Sequence, residues 1–322
     1  MPEITYQGKS FVCEPGETVL STLRRNAVEV PYSCGAGACH TCMLHCLDGE
    51  PTEKSQKDLK PALKNLKYFL ACQCVTESNL EVALPDDEDV YVSARLIEKT
   101  QLSPTVWCFR LEAAVPVYYH AGQFINIKNE AGWIRSYSLA SLPNEDDLIE
   151  LHVRRMPDGM MSHWLIDHFE EGMHIEIEGP NGHCLYTDGE PEQPILMVGT
   201  GTGLAPLIGI LRDALHQGHV GPIHLYHGVR DCGELYLNQT LNDLAQSHAH
   251  VYYHACISGE VVNSYKAGRA SDIALAEHPD LKAWKVFVCG SPDMVKQVRK
   301  MAFLAGANMH NISADAFTTP EH

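Results

Sequence analysis

The sequence predicts a multidomain chain of mixed class, an α+β unit followed by an antiparallel barrel and an α/β unit with a parallel sheet. Three observations predict it. Cysteines crowd into one small-residue loop near the start, six short alternating strands follow, and after Pro191 strands and helices take turns. A length of 322 residues suits two or three domains.

Residues 1–88 form the first expected unit. Ile4–Gln7 and Phe11–Cys13 read as short strands around a Gly8-Lys9 turn. Thr18 is placed to cap a helix on which Val19, Leu20 and Leu23 share one face. The loop Ser33-Cys34-Gly35-Ala36-Gly37-Ala38-Cys39 comes next, then the strand-like Met43–Leu47. Pro85-Asp86-Asp87-Glu88-Asp89 reads as solvated linker, because a run of acids has no reason to be buried. It sets the first boundary.

Residues 89–190 alternate as half-buried strands do: Tyr91–Ile97, Val106–Leu111, Gln123–Ile127, Ser136–Ala140, Ile149–Val153 and His174–Ile177. One helix, Met160–Phe169, interrupts them. Residues 191–322 change rhythm. Ile195–Val198, Ile223–Tyr226, Val251–Cys256, Val286–Cys289 and Ile312 are strand-like, and Leu204–Leu215, Leu235–Ala245 and Met294–Leu304 are helix-like. Such alternation builds βαβ units on a parallel sheet.

Charge and composition exclude some functions. Lys plus Arg is 24 against 41 for Asp plus Glu, a net charge of −17, which repels nucleic acid and anionic membrane but suits docking onto a basic patch of another protein. There is no apolar run of about 20 residues to span a bilayer. The start, Met-Pro-Glu-Ile-Thr-Tyr, lacks an export signal, so a reducing cytoplasm is expected. There, clustered cysteines are better read as metal or redox residues than as a disulfide scaffold, and the rest of the 12 mostly as small buried apolar residues.

The cysteine spacing carries the strongest signal. Cys34, Cys39 and Cys42 stand as C-x4-C-x2-C, with Cys72 29 residues further on, which is the plant-type 2Fe–2S spacing. Three thiolates must converge from one loop, and Gly35 to Ala38 leave room for the backbone to wrap. Four free core thiols or a zinc site are the alternatives; zinc prefers a second close pair, and Cys72 has no C-x2-C partner. Cys74 competes with Cys72 for the fourth position.

Two further constellations suggest nucleotide cofactors. Arg135-Ser136-Tyr137-Ser138 offers a planar fork for phosphate and a flat face for a ring, and Gly159-Met160-Met161-Ser162 opens a helix whose free amides favour pyrophosphate. Gly199-Thr200-Gly201-Thr202-Gly203-Leu204-Ala205-Pro206 joins a strand to a helix in the manner of a dinucleotide turn, without the third glycine of G-x-G-x-x-G. Cys289-Gly290-Ser291-Pro292-Asp293-Met294 follows a later strand.

These motifs resemble those of the ferredoxin–NADP reductase superfamily: R-x-Y-[ST], the G-x-x-S turn, G-T-G-[LIV]-A-P and C-G-x-x-x-M. The resemblance implies that Arg135 and the Gly159–Ser162 turn bind the pyrophosphate of FAD, that Tyr137 packs on the ring and that Ser138 approaches its N5. His152 and Val153 lie beside the flavin through their backbone, and Ser136 belongs to the same strand. Gly199 to Gly203, Gly290, Ser291 and Met294 would hold the dinucleotide, with Cys289 beside the nicotinamide. Ser138, Cys289 and Phe317 are thus the residues expected along the hydride path. Phe317, in Ala314-Asp315-Ala316-Phe317, is either an aromatic cap over the flavin or a core filler. Asp231 is suited to a ribose hydroxyl and Arg230 to a 2′-phosphate; Ser258 is followed by Gly259 and not by the Arg of NADP-specific members, which favours NADH with NADPH also open.

The module order is similar to that of the reductase components of bacterial ring-hydroxylating dioxygenases and related multicomponent monooxygenases, and it covers the whole chain. It implies a β-grasp ferredoxin unit (1–88), a six-stranded FAD-binding barrel (89–190) and an NAD(P)-binding unit (191–322). The expected activity is an NADH-dependent relay through FAD and a 2Fe–2S cluster to a partner oxygenase or ferredoxin. Two other readings are the same relay serving a deoxysugar dehydrase, and a non-enzymatic ferredoxin-type carrier or sensor. None of the 18 His forms an H-E-x-x-H helix, so most are expected at the surface or in hydrogen bonds.

Overall fold

The computed structural model describes residues 1–143, 145–187, 190–260 and 264–318. Among these the strands assemble into three sheets. The first contains β1 (Glu3–Tyr6), β2 (Lys9–Val12), β3 (Met43–Asp48), β4 (Tyr68–Leu70) and β5 (Leu80–Ala83) in the order β2-β1-β5-β3-β4. Helix α1 (Val19–Arg25) covers it. Its start is fixed by a reciprocal capping box: the Ser21 amide donates to Thr18 Oγ1 at 3.1 Å, and the Thr18 amide to Ser21 Oγ at 2.9 Å. Val19, Leu20 and Leu23 enter a core formed from this unit's own residues. Two single-turn helices, α2 (Glu53–Gln56) and α3 (Pro61–Asn65), the buried three-residue β4 and the four-residue β5 carry no periodicity long enough to read in sequence.

The acidic run is exposed, as expected, but it is not without structure. Asp87–Val90 forms a one-turn helix, α4, capped by Asp86, whose side chain accepts from the Glu88 amide at 3.2 Å. Tyr68 Oη donates to Asp89 at 2.9 Å, and Asp87 pairs with Lys128 of the next unit. Specific partners thus order the run while leaving its acids at the surface, so it also contacts the units on either side of it.

The second sheet is antiparallel: β6 (Val92–Gln101), β7 (Val106–Ala113), β8 (Phe124–Lys128), β9 (Ile134–Ser138), β10 (Ile149–Arg154) and β11 (His174–Asn181), ordered β10-β7-β6-β11-β8-β9. A bridge between Leu139 and Leu151 brings the two edge strands together and closes the barrel. The fourth strand thus lies two residues earlier than the alternation suggested, since Leu139 has already crossed to β10. Helix α5 (Met160–Asp167) covers one end.

The third sheet is wholly parallel: β12 (Ile195–Thr200), β13 (Ile223–Val229), β14 (Val251–Ile257), β15 (Lys266–Ala267), β16 (Lys285–Gly290) and β17 (Ile312–Ala316), ordered β15-β14-β13-β12-β16-β17. Ile195 and Met197 face one hydrophobic core, Leu196 and Val198 the other, so β12 is apolar throughout. Helices α6 (Leu204–His216), α7 (Asn238–Ser247), α8 (Ala270–Glu277) and α9 (Pro292–Leu304) accompany this sheet. The sequence places the start of α7 at Leu235, but the helix begins at Asn238. Leu237 is left-handed (φ 54°), and fully buried Tyr236 reaches back to His152 Nδ1 at 3.3 Å. A tertiary contact overrides the helical pattern.

Candidate active site

The cysteine loop is built to surround something. Gly37 has φ +81°, and a Cβ there would lie 2.8 Å from the Gln73 side chain, so the loop closes against the segment carrying Cys72. Amides turn towards sulfur: Ala36 donates to Cys34 Sγ at 3.3 Å, Cys34 to Cys39 Sγ and Cys39 to Cys34 Sγ each at 3.4 Å, and Thr41 Oγ1 to Cys39 Sγ at 3.2 Å. The four thiols stand as two touching pairs, Cys34 with Cys39 and Cys42 with Cys72. Within each pair the hydrogen bond between the thiols draws one down and pushes the other up: Cys34, helped by the loop amides, and Cys72 are lowered, and Cys39 and Cys42 are raised. Four thiols converging in an amide-lined cage fit a 2Fe–2S cluster, for which they would supply the four sulfur ligands. Cys74 sits fully buried in the core of the unit.

Beside this loop opens a cavity of about 1090 Å³, ample for a dinucleotide. All three units contribute to its wall, among others through Cys34, Ala38 and Cys39 of the cysteine loop, Arg135 to Ser138 of β9, and Thr200, Gly201 and Thr202 of the turn after β12. Helix α5 starts at Gly159 without a side-chain cap, so its first amides are available at the wall. The Ser162 hydroxyl is occupied within the turn: it donates to the Gly159 carbonyl at 2.9 Å and accepts from the Met156 amide at 3.1 Å. The backbone of this turn, more than the Ser162 hydroxyl, is left to meet an anion.

On the opposite wall, Gly203 lies so close to β16 that a Cβ would come within 2.2 Å of the Cys289 carbonyl oxygen. That contact sets the turn against Gly290, Ser291 and Met294, which line the cavity, as do Arg230 and Asp231 farther along. Ser138 Oγ donates to Asp315 Oδ2 at 2.8 Å, and burial pushes the Asp315 carboxyl up. Half-buried Phe317 lines the same space, its amide donating to the Gly290 carbonyl at 2.8 Å.

Three family models match successive parts of the chain: a 2Fe-2S iron-sulfur cluster binding domain (residues 3–77), an oxidoreductase FAD-binding domain (93–186) and an oxidoreductase NAD-binding domain (197–300). The chain is 34% identical, over 94% of each sequence, to the ferredoxin–NAD(P)+ reductase component of a Pseudomonas putida naphthalene 1,2-dioxygenase system. It belongs to the ferredoxin–NAD(P)+ reductase components of oxygenase systems. An aromatic O-demethylase reductase subunit from Amycolatopsis is 32% identical over 91% of each chain. The crystal structure of the Amycolatopsis cytochrome P450 reductase GcoB superposes with a TM-score of 0.72, at 30% identity, over 98% of this chain and 99% of that one. The chain is therefore an oxidoreductase with 2Fe–2S, FAD and NAD-binding domains, which favours the enzyme over the carrier or sensor reading.

For a reductase of this family, the cavity gathers most of the residues that the motifs single out. Ser136, Tyr137, His152, Met160 and Met161 are on the wall, but Val153, Gly199, Gly203 and Cys289 lie behind it. Val153 faces the barrel core, and Cys289 is fully buried with its sulfur 3.7 Å from Cys184. His152 is more than a backbone contact. Its ring bridges Tyr236 and Glu150 (Nε2 to Oε1, 3.0 Å), and Arg110 donates to the other Glu150 oxygen at 2.9 Å. Asp315 carried a signal, an acid two residues before a terminal aromatic, that the motif reading left unused. Arg269, on the wall near Arg230 and Asp231, carried none, since it is distant in sequence. Among the described residues no helix is long and apolar enough to cross a membrane.

Proposed function

We propose that this reductase takes electrons from NADH, passes them through FAD to the 2Fe–2S cluster held by Cys34, Cys39, Cys42 and Cys72, and delivers them to a protein acceptor, an oxygenase or a ferredoxin. The observation that carries this reading is the shared cavity, because donor and acceptor sites open onto one space. When bound, the flavin converts the paired electrons of a hydride into single ones that a cluster can take. The chain's residues do the rest. Arg135 and the Met160–Ser162 amides orient the pyrophosphate, Tyr137 backs the ring, and Ser138 Oγ holds a hydrogen bond that half-buried Asp315 accepts. Phe317 caps the site until the nicotinamide displaces it, a reading favoured by its place on the cavity wall.

NADH is the preferred donor. A Cβ on Gly259 would meet the Arg230 carbonyl oxygen at 2.6 Å, so the position after Ser258 has no space for a phosphate-binding Arg. The relatives named above serve oxygenase or demethylase systems, which favours that class of acceptor over a deoxysugar dehydrase. Twelve free thiols suit a reducing cytoplasm, and 1–88, 89–190 and 191–322 are the working domain boundaries. Reconstituted protein should reduce cytochrome c with NADH at a much higher kcat/KM than with NADPH. Failure to reduce either cytochrome c or ferricyanide overturns the relay.

A further inference from the structure

The cysteine loop and the flavin-motif strand are tied together by one side chain. Along β8, Ile125 and Ile127 point into the barrel core, so Asn126 points outward, yet it is only 2% exposed. Its Nδ2 donates to the Cys39 carbonyl at 2.8 Å and to Glu178 Oε2 at 2.7 Å, and its Oδ1 accepts from Ser136 Oγ at 2.6 Å. Strand register puts the three side chains in one row, since Asn126 is paired with Ser136 on β9 and with Glu178 on β11. Past a register shift between Glu178 and Asn181, Asn181 Nδ2 donates to the same Glu178 oxygen at 2.9 Å, and the Asn181 side chain also bonds His40, beside Cys39. Both donor hydrogens and the oxygen of one carboxamide are used, two of the three bonds leading to the flavin motif and the cysteine loop.

We propose that Asn126 is a positioning residue for electron transfer: it fixes the gap between the loop that holds the cluster and the strand that carries Arg135 to Ser138. The inference rests on the relay proposed above. Tunnelling weakens exponentially with distance, so a loop released from this bond delivers electrons more slowly while hydride uptake is unaffected.

The test uses holoprotein carrying Asn126→Leu, with Asn126→Ser as a smaller polar variant should the first fold poorly. Flavin and iron contents and the stopped-flow rate of flavin bleaching by NADH should match wild type. The rate at which the cluster is then reduced should fall at least tenfold, and hydrogen–deuterium exchange of peptides spanning 33–42 should rise. Unchanged cluster reduction and unchanged exchange in both variants overturn the inference and leave the relay intact. Wild-type protein whose cluster NADH never reduces overturns the relay itself.

Discussion

The flavin barrel meets its two neighbours in opposite ways. Towards the parallel sheet the junction is apolar: Val106, Ala140, Cys184 and Tyr186 join the core built by β12, α6 and α7. Backbones also approach closely there; a Cβ on Gly122 would lie 2.2 Å from the Cys184 carbonyl oxygen and 2.6 Å from Ile210. Towards the cysteine-bearing unit the junction is polar. That unit keeps a core drawn from residues 4–82. It meets the barrel through the Asn126 bond, the Asp87–Lys128 ion pair and Lys60 Nζ donating to the Gly179 carbonyl at 2.6 Å. Apolar burial locks two units into one body, whereas a small hydrogen-bonded contact resembles a separable interface. Hydride transfer requires atomic contact and is served by the first arrangement. Delivery of single electrons tolerates a gap and is served by the second.

The sharpest way to break this contrast is Cys72→Ser. Cluster assembly and cytochrome c reduction should be lost by a hundredfold or more, while NADH-to-ferricyanide activity stays within about twofold, as expected when one member of a structural metal site is removed from a separate unit. Joint loss would show that the two junctions are not independent. Asp315→Ala acts on the other side. Flavin bleaching by NADH should slow about a hundredfold, the scale of an assisted proton or hydrogen-bond contact, with iron content unchanged.

Stability variants sharpen the comparison further. Gly122→Ala should cost about 2 kcal/mol or more in denaturant unfolding, because the strained backbone and close contacts cannot relax. Lys60→Ala, at the polar junction, should stay within about 0.5 kcal/mol. Equal costs would erase the distinction. A pH-dependent effect concerns Glu178, whose carboxyl burial pushes above the usual range. A carboxyl raised in the folded state favours folding below its unfolded pKa and loses that advantage as pH rises through the raised value. Glu178→Gln should therefore raise the melting temperature by a few degrees at pH 8 and leave it unchanged at pH 4. A gain at pH 4 as well would show that charge is not the cause.

Much of the molecule is legible without coordinates. Thiolate ligands need a fixed chain spacing, glycine turns need Gly, and sheets covered on one or both faces need alternating or continuous apolar residues. Cys34 to Cys72, the Gly199–Pro206 turn and most strands accordingly announce themselves in local sequence. Short or wholly buried elements such as Pro61–Asn65 and Tyr68–Leu70 do not, because a single turn or three residues hold no period. Leu235–Ala245 shows a local pattern losing to a distant partner, His152.

The sequence by itself determined which cofactors the chain is equipped to hold, because ligand chemistry is written in residue types a few positions apart. Only the tertiary structure decided how far apart the cofactor sites lie and which of those residues face them. Asn126, Glu178 and Asp315 act through neighbours tens to hundreds of residues away, and no local spacing records a hydrogen bond that exists only once separate sheets have met.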